Sequence, residues 1–317
     1  KEAEKRMRAR PRTLLILVLM MCALFLGCRK PGQTEATEHQ TPQKLIVGMM
    51  SAVDSAPFYL ALKRGYYAVE GVEVELILFT NGQHRQTALQ TGQVDGAMTD
   101  LVALITQSAS DFHLMGTLST DGDFPLLANG TLEGKDQISV GTMEISVTNY
   151  LVDRYLAQDH ALRKVFINEI PARLEAVVSG QLDVGIFPEP FASIGAQRGL
   201  QKIVFDGIPE ESLNIIAFTD DAINEKRKAL QVFHDAYGRA VRDIRADADL
   251  AREVMMEYIP GLPDQIRDVI YLPEYQEPRI PSEDFVAQII SFTTEVTGKK
   301  YDLAPADLLD GQFIGSR

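Results

Sequence analysis

Apolar and polar positions alternate along the chain in a way that predicts strands and helices in turn. The apolar run KLIVGMM (44–50) predicts a buried strand, and the helical spacing of DSAPFYLALKRGYY (54–67) predicts a helix. VEVELILF (72–79) and QVDGAM (93–98) predict further strands, each followed by a helical segment. This alternation favours an α/β fold with a parallel or mixed sheet that is covered by helices on both faces.

A short internal echo is the most informative pattern. TALQTGQVDGAM (87–98) and LEAVVSGQLDVGI (174–186) both predict a helix that ends in a small residue followed by Gly-Gln, and then an aspartate that opens a strand. Gly92 and Gly180 stand where a left-handed cap ends a helix. The echo therefore predicts two similar α/β lobes.

The segments between the echoes set the predicted lobe boundaries. STDGDFPLLAN (119–129) is expected to carry the chain from one lobe to the other, and residues 202–219 are expected to carry it back. We therefore expect lobe I to comprise residues 44–120 and 216–317, and lobe II to comprise residues 121–215. The helical segments near the C-terminus are expected to pack on lobe I.

The N-terminal segment has the layout of a secretory signal. A basic stretch from Met7 precedes an apolar run of about fifteen residues (13–27) and then Cys28. A helix that spans a bilayer needs roughly 20 apolar residues, so a retained membrane helix is the weaker reading. We expect residues 1–27 to be a signal peptide, with an extension before Met7, and residues 28–43 to be a flexible linker.

LFLGC (24–28) resembles the lipoprotein box of bacterial lipoproteins. The resemblance implies that Cys28 is diacylated and becomes the mature N-terminus, which would anchor the protein to a membrane. Phe25 and Leu26 are bulkier than the common pattern. The expected location is the cell envelope, either periplasmic or otherwise extracytoplasmic.

Charge and composition exclude several classes of function. The net charge is −13, and without residues 1–27 there are 25 basic against 42 acidic groups, a net charge near −17, so binding to nucleic acid is not expected. The only cysteines are Cys22 and Cys28, so the folded part has no thiol for catalysis, a disulfide or a zinc site. The histidines lack metal-ligand spacing, and phosphate-binding glycine motifs are absent. We expect no metal, no cofactor and no enzymatic activity.

Four motifs in a fixed order resemble the periplasmic binding proteins for sulfonates, taurine, nitrate and thiamine-pyrimidine precursors. They are APFYLALKRGYYAVEGVEVEL (56–76), ALQTGQVDGAMTD (88–100), ISVGTMEISVTNYLVDRYL (138–156) and SGQLDVGIFPEPF (179–191). The resemblance implies a type II periplasmic binding protein fold, in which two crossover strands join the lobes and a ligand lies in the cleft. It also implies a monomer that delivers a small molecule to the permease and ATPase subunits of an ABC importer.

Ligand-binding residues are expected on the loops that follow the strands, where helix N-termini offer free N–H groups. The alternative is that Asp54, Ser55, Asp100 and Ser146 only cap helices and that Tyr59 belongs to the core. The predicted set is Ser51, Asp54, Ser55, Ala56, Tyr59, Thr99, Asp100, Met143, Glu144, Ser146, Phe187 and Glu189.

Acidity on these loops bears on the substrate. Carboxylates are common there and no Arg or Lys occurs, which favours a neutral or amine-bearing heterocycle such as a thiamine pyrimidine precursor. An anion such as an alkanesulfonate, taurine or nitrate is the alternative within the same class. A pyrimidine-biosynthesis enzyme of the same fold and a solute-sensing lipoprotein are the alternatives of other classes.

Overall fold

Strands and helices alternate along most of the chain. The computed structural model describes residues 43–109, 112–204 and 211–315, so the predictions for the signal peptide, the linker before Gln43 and Cys28 lie outside the described residues. The first half contains β1 (Gln43–Met50), α1 (Ala56–Lys63), α2 (Tyr66–Val69), β2 (Val72–Phe79), α3 (Gly82–Gln90), β3 (Gly96–Asp100), α4 (Leu101–Ser108), β4 (Leu114–Thr120), β5 (Leu126–Ala128), β6 (Gln137–Thr142) and α5 (Val147–Leu156).

The second half begins with the edge strand of the second sheet. It contains β7 (Ala161–Phe166), α6 (Ile170–Val178), β8 (Val184–Ile186), α7 (Phe191–Gln197), β9 (Gln201–Ile203), β10 (Asn214–Thr219), α8 (Asp220–Glu225), α9 (Arg227–Ala246), α10 (Asp249–Tyr258) and α11 (Glu283–Thr297). Short 3₁₀ helices occur at Val53–Ser55, Asp264–Val269 and Pro305–Asp307. Within the described ranges, no helix is long and apolar enough to cross a membrane.

The strands form two five-stranded sheets with the same layout. The first has the order β2-β1-β3-β10-β4 and the second has the order β7-β6-β8-β5-β9. In each sheet the second strand in this order pairs in parallel with both of its neighbours, β1 with β2 and β3, and β6 with β7 and β8. In each sheet one strand, β10 or β5, runs antiparallel to both of its neighbours. The α/β class and the two-lobed architecture expected from the sequence are confirmed.

The aspartates of the echo perform the same task in both lobes. One carboxylate oxygen of Asp95 accepts the backbone N–H of Ile46 in β1 at 2.7 Å, and Asp183 accepts that of Ser139 in β6 at 2.8 Å. Each carboxylate also pairs with a lysine. The preceding glycines have left-handed φ angles of 70° and 76°, as predicted, so a residue with a Cβ would be strained there. The echo is thus a structural repeat whose aspartate holds the first half of β1 in one lobe and of β6 in the other.

The long C-terminal helices pack mainly on the first lobe. α9 lies against α1, where the ring of Phe58 stacks on Phe233 at 5.0 Å between centroids. The sequence boundaries assign all of 216–317 to lobe I, but the 3₁₀ helix Asp264–Val269 packs on α7 of lobe II. There the Ser193 hydroxyl donates to the Val269 carbonyl at 3.0 Å. The C-terminal segment therefore contacts both lobes.

The lobes also meet directly across the gap between the sheets. Asp100, which caps α4 of lobe I through the Ala103 N–H at 2.9 Å, accepts the Val147 N–H at the start of α5 in lobe II at 3.2 Å. The Val53 N–H donates to the Glu189 carbonyl at 2.9 Å. The structure therefore has a conformation in which the two lobes are in contact.

A second polar contact joins the lobes at the start of α3. Asn81 caps this helix, because its side-chain oxygen accepts the Gln83 N–H at 2.8 Å. The amide nitrogen of the same side chain donates to the Glu169 carboxylate of lobe II at 2.8 Å. The Asn81 side chain therefore both caps α3 and binds a carboxylate of the opposite lobe.

The repeat predicts the effect of removing one of its aspartates. Lys135 and Ser139 hold the pKa of Asp183 below its usual range. Since a carboxyl with a lowered folded-state pKa stabilises the fold above its unfolded-state pKa and loses this effect as the pH falls, Asp183→Ala should lower the free energy of unfolding by about 1–3 kcal/mol at pH 7 and by less below about pH 4. Urea unfolding at both pH values measures this, with the exposed Asp136→Ala as the control, and equal losses for the two variants would contradict the assigned role.

The bond between Asp100 and Val147 predicts a change in how the lobes meet. Asp100→Ala removes a helix cap and the interlobe bond together, so stability should fall by about 1 kcal/mol and the ligand-free protein should open, with a larger radius of gyration in X-ray scattering. Thr219→Ala is the matched control, because Thr219 caps α8 through the Ala222 N–H at 3.2 Å within lobe I. An unchanged radius of gyration in Asp100→Ala would contradict the interlobe role.

Candidate functional site

A small cavity lies between the two lobes and is lined by residues of both. It encloses about 50 Å³, which is room for a few water-sized groups. Lobe I contributes the carboxyl ends of its strands and the start of α3, and lobe II contributes the loop after β6 and the first turns of α5 and α6. Its polar, charged and methionine lining includes Met50, Asp54, Arg85, Met98, Thr99, Asp100, Met143, Ser146, Thr148, Arg173 and Asn214.

Asp54 joins this cavity to the strands that connect the lobes. Its Oδ2 accepts the Thr120 hydroxyl at 2.8 Å, at the end of β4, and the Asn214 amide at 2.9 Å, at the start of β10. Its Oδ1 is buried without a hydrogen-bond partner among the described residues. A Cβ at Gly122 would come within 3.1 Å of the carboxyl carbon of Asp54. The segment that leads from lobe I to lobe II therefore packs closely against Asp54. Burial raises the pKa of Asp54 to about 6.

Arg85 is the second charged group with unused hydrogen-bonding capacity. It lies in the first turns of α3, which Asn81 caps, and only 4% of its surface is exposed. Its Nη2 donates to the Thr99 hydroxyl at 3.0 Å, whereas its Nε is buried and has no partner among the described residues. Burial lowers the pKa of Arg85, and the nearby Asp100 opposes this. The guanidinium therefore retains one buried donor.

Arg173 occupies the corresponding place in lobe II, but protein groups occupy more of its donors. Its Nε donates to the Ile186 carbonyl at 3.1 Å and its Nη1 donates to the Ile167 carbonyl at 2.6 Å. The guanidinium carbon lies 5.2 Å from the centre of the Phe187 ring, within the range of a cation–π contact. Burial lowers the pKa of Arg173 to about 10. These contacts fix the lobe II arginine in place.

The expected acidity of the cleft is wrong. Asp54 and Asp100 line the cavity, but Arg85 and Arg173 line it as well. The two arginines belong to helices, so the absence of basic residues from the loops does not make the cavity acidic. The formal charges of these four groups cancel. The inference toward an amine-bearing solute, as far as it rests on an excess of carboxylates, therefore loses its basis.

Five of the predicted residues do line the cavity, namely Asp54, Thr99, Asp100, Met143 and Ser146. Asp100 and Ser146 are also helix caps, Ser146 through the Thr148 N–H at 3.2 Å. The functional and the capping interpretations of these two residues are compatible, because the caps of facing helices meet at the cavity.

Residues expected on the loop after β1 lie mostly in the interior of lobe I. The Tyr59 ring stacks on Tyr258 at 4.8 Å in the core, and Ala56 is fully buried. The Ser55 hydroxyl donates to the Ala52 carbonyl at 2.6 Å, which closes a local turn. Ser51 is buried and does not line the cavity. These four residues pack inside lobe I and do not line the cavity.

Three residues expected in lobe II also lie away from the cavity. Phe187 is buried beside Arg173. The fully buried Glu189 pairs with Lys202 and accepts the Ser193 N–H at 3.0 Å, so protein donors already neutralise it. Glu144 is exposed. Glu189 was expected to accept from a ligand, and its pairing with Lys202 is the physical reason that this expectation is wrong.

The sequence contains a signal for the two arginines, which becomes visible when the two segments of the echo are compared over a longer range. Extended toward the N-terminus, the echo reads RQTALQTGQVD (85–95) and RLEAVVSGQLD (173–183), so Arg85 and Arg173 are equivalent positions. No comparable signal exists for Asn214, which comes to the cavity through its pairing with Thr120 across two antiparallel strands.

In the part of the chain that the structure describes, no group of three or more His, Cys, Asp or Glu side chains is arranged to hold a metal ion.

Similar solved structures share this architecture. The ligand-binding component of an ABC-type import system from Staphylococcus aureus, solved with zinc bound, has a TM-score of 0.74 at 16% identity and covers 86% of this chain and 98% of its own. The alkanesulfonate-binding protein SsuA from Xanthomonas axonopodis pv. citri, bound to MOPS, has a TM-score of 0.66 at 15% identity and covers 84% and 98%. At these identities the likeness establishes the two-lobed periplasmic binding protein fold.

A third similar structure is the nitrate-binding protein NrtA from Synechocystis PCC 6803, with a TM-score of 0.63 at 14% identity, covering 76% of this chain and 74% of its own. No curated protein matches the chain. The family model described as the NMT1-like family matches residues 38–259, which is more than half of the chain. The resemblance seen in the four sequence motifs is thereby confirmed, and the chain belongs to the NMT1-like family.

Proposed function

We propose that the chain is the solute-binding component of an ABC importer, which captures a small molecule between its lobes and delivers it to the permease. The observation that carries the proposal is the cavity between two α/β lobes, which apolar and charged side chains line from both sides. The similar structures named as ABC import, alkanesulfonate-binding and nitrate-binding proteins support it. The protein would act outside the cytoplasm, bind no nucleic acid and work as a monomer.

Capture would depend on closure of the lobes. A solute that contacts groups of both lobes stabilises the closed conformation by its differential affinity for it. The contacts between Asp100 and Val147, and between Asn81 and Glu169, would then be made and broken as the lobes close and open. The closed surface would be what the permease and its ATPase recognise.

For the solute itself, two chemistries have support in the cavity. The free oxygen of Asp54 favours a hydrogen-bond donor, as in the amine-bearing heterocycles of the thiamine pyrimidine precursor type. The free Nε of Arg85 favours an anion such as an alkanesulfonate, taurine or nitrate. We retain the heterocycle as the first candidate and the anion as the second.

The competing functions have weaker support. A pyrimidine-biosynthesis enzyme of this fold would need a catalytic constellation, and the described cavity holds neither a histidine nor a cysteine. A solute-sensing lipoprotein would use the same cleft and closure, and differs only in the partner that reads it.

Solute capture is tested on protein purified from its host. Native mass spectrometry should show one small molecule per chain, and X-ray scattering should show a smaller radius of gyration when that molecule is returned to the stripped protein. The protein stripped in denaturant and refolded without the extract serves as the control. Absence of any bound small molecule, together with scattering that does not respond to the host extract, would refute the proposed function.

The proposed anchor is tested separately, because it rests on the sequence alone. If Cys28 is diacylated, labelled palmitate should enter the wild-type protein in its host and should be lost in Cys28→Ser, while Cys22→Ser provides the matched control for the other cysteine. Label that persists in Cys28→Ser would contradict lipidation at this residue.

A further inference from the structure

A long irregular segment joins α10 to α11. Residues 259–281, here called the strap, contain one short 3₁₀ helix, Asp264–Val269, and otherwise neither helix nor strand. Proline fixes φ and lacks the N–H that regular elements need. The strap contains five prolines, Pro260, Pro263, Pro273, Pro278 and Pro281. Connections of this length within a compact fold usually have a function of their own.

Both ends of the strap are fixed to lobe I. At its start, the Ile259 N–H donates to the Met255 carbonyl of α10 at 3.0 Å, and the Ile259 side chain is buried. Near its end, the Tyr275 hydroxyl donates to the Val53 carbonyl at 2.8 Å. The Tyr275 carbonyl accepts the Nε–H of Arg245 in α9 at 2.7 Å. The strap therefore leaves lobe I and returns to it.

A carboxylate on the first connection between the lobes strengthens the second attachment. Asp121 directly follows β4 and is buried, and its Oδ2 accepts the Gln276 N–H at 2.8 Å. Asp121 also forms an ion pair with Arg279, and the Arg279 carbonyl accepts the Ser119 N–H of β4 at 2.7 Å. Hydrogen bonds that involve an ionised group are roughly twice as strong as neutral ones. Charged and neutral contacts together fix this end of the strap.

The middle of the strap contacts lobe II instead. The Val269 carbonyl accepts the Ser193 hydroxyl, and the Gln265 carbonyl accepts the side-chain N–H of Gln197 at 3.2 Å. Both donors belong to α7. The side chain of Ile266 is fully buried in a hydrophobic cluster that also contains residues of α7. The strap thus forms a third connection between the lobes, which is non-covalent on the side of lobe II.

The two attachments differ in strength. On lobe II, two neutral hydrogen bonds and the apolar contact are joined by a cation–π contact of Lys202 over the exposed ring of Tyr271 at 5.2 Å. On lobe I, the buried carboxylate of Asp121 takes part. Five residues separate Val269 from Tyr275, and an extended segment of this length spans at most about 18 Å. A movement of α7 away from lobe I therefore breaks one attachment, and the one on lobe II is the weaker.

We propose that the strap is a latch for the closed conformation. It stays with lobe I and binds α7 only when the lobes are in contact, so it raises the ratio of closed to open protein. The latch adds the hydrogen bonds of Ser193 and Gln197 to the direct interlobe bonds of Val53 and Val147. The inference rests on the proposed function in one respect, namely that the lobes part to admit a solute. The latch then sets how much free energy a solute must supply to keep them closed.

Hydrogen–deuterium exchange of the ligand-free, full-length protein tests the latch residue by residue. The N–H groups of Val53 and Val147 donate across the gap between the lobes, so they become free to exchange when the lobes part. Ser193→Ala removes one neutral hydrogen bond of the latch, and both amides should exchange about fivefold faster. The Ile46 amide, which is bonded within lobe I, should keep its wild-type rate.

Ser108→Ala is the matched control. The Ser108 side chain is also buried, and its hydroxyl donates to the Leu114 carbonyl at 3.1 Å within lobe I. Both variants lose one buried neutral hydrogen bond, so their melting temperatures should fall by similar amounts, but Ser108→Ala should leave exchange at Val53 and Val147 unchanged. Wild-type rates in Ser193→Ala, equal acceleration in both variants, or no protection of these amides in wild type would overturn the latch.

A covalent link tests the same inference in the opposite direction. Gln197→Cys and Gln265→Cys place two thiols at positions that are in contact, and the full-length protein with Cys22→Ser and Cys28→Ser offers no other thiol. Joining them by a disulfide or a short cross-linker fixes the strap to α7. Exchange at Val147 should then be about tenfold or more slower than in the same protein after reduction or without cross-linker. Equal rates in the two forms would show that the lobes open without release of the strap, which contradicts the latch.

Failure of the latch can be told apart from failure of the proposed function. The exchange experiments contain no solute, so unchanged rates in Ser193→Ala would reject the latch while solute capture by the cleft stands. Absence of a bound small molecule in native mass spectrometry would reject solute capture, whereas faster exchange in Ser193→Ala would still support the latch.

Discussion

The carboxylate of Asp54 is the group on which the connection between the lobes and the cavity depends. It accepts hydrogen bonds from Thr120 and Asn214, which are paired residues on the strands that lead to and from lobe II. An apolar residue at this position would leave both donors buried and unsatisfied, at a cost of about 1–3 kcal/mol for each. These donors offset part of the cost of burying the charge, and the second oxygen has no partner among the described residues.

Each lobe is built around a second carboxylate that repeats with the echo. Asp95 and Asp183 bind the backbone of β1 and β6, respectively, and each pairs with a lysine. The helix before each aspartate carries an equivalent arginine in its first turn, and both arginines line the cavity. The two lobes differ at this point, because backbone carbonyls bind Arg173 while the Nε of Arg85 has no partner among the described residues. Two similar lobes thus form an asymmetric cavity.

Much of the fold could be predicted from local patterns, because strand and helix periodicity and the glycine caps are properties of short segments. The cavity could be predicted only in part. Thr99 and Asp100 end β3 and Ser146 follows β6, so the strand pattern predicts them, whereas Arg85 and Arg173 line the cavity from helices. The predicted acidity failed for a physical reason, since Lys202 neutralises Glu189 and two helix starts bind Asp100. Counting charges along loops cannot reveal which of them the fold has already paired.

The energetics of closure explain why lobe II groups matter to a cavity in which, among the described lining residues, the unpartnered buried side-chain atoms belong to lobe I. A solute that touched only Asp54 and Arg85 would bind the open and closed forms alike and would leave their ratio unchanged. The closed form has direct interlobe hydrogen bonds, each worth about 1 kcal/mol net, so the lobes can open readily. A solute that also contacts Ser146, Thr148 or Met143 adds its contribution only when the lobes meet. The mixed lining of the cavity is therefore what allows binding to become closure.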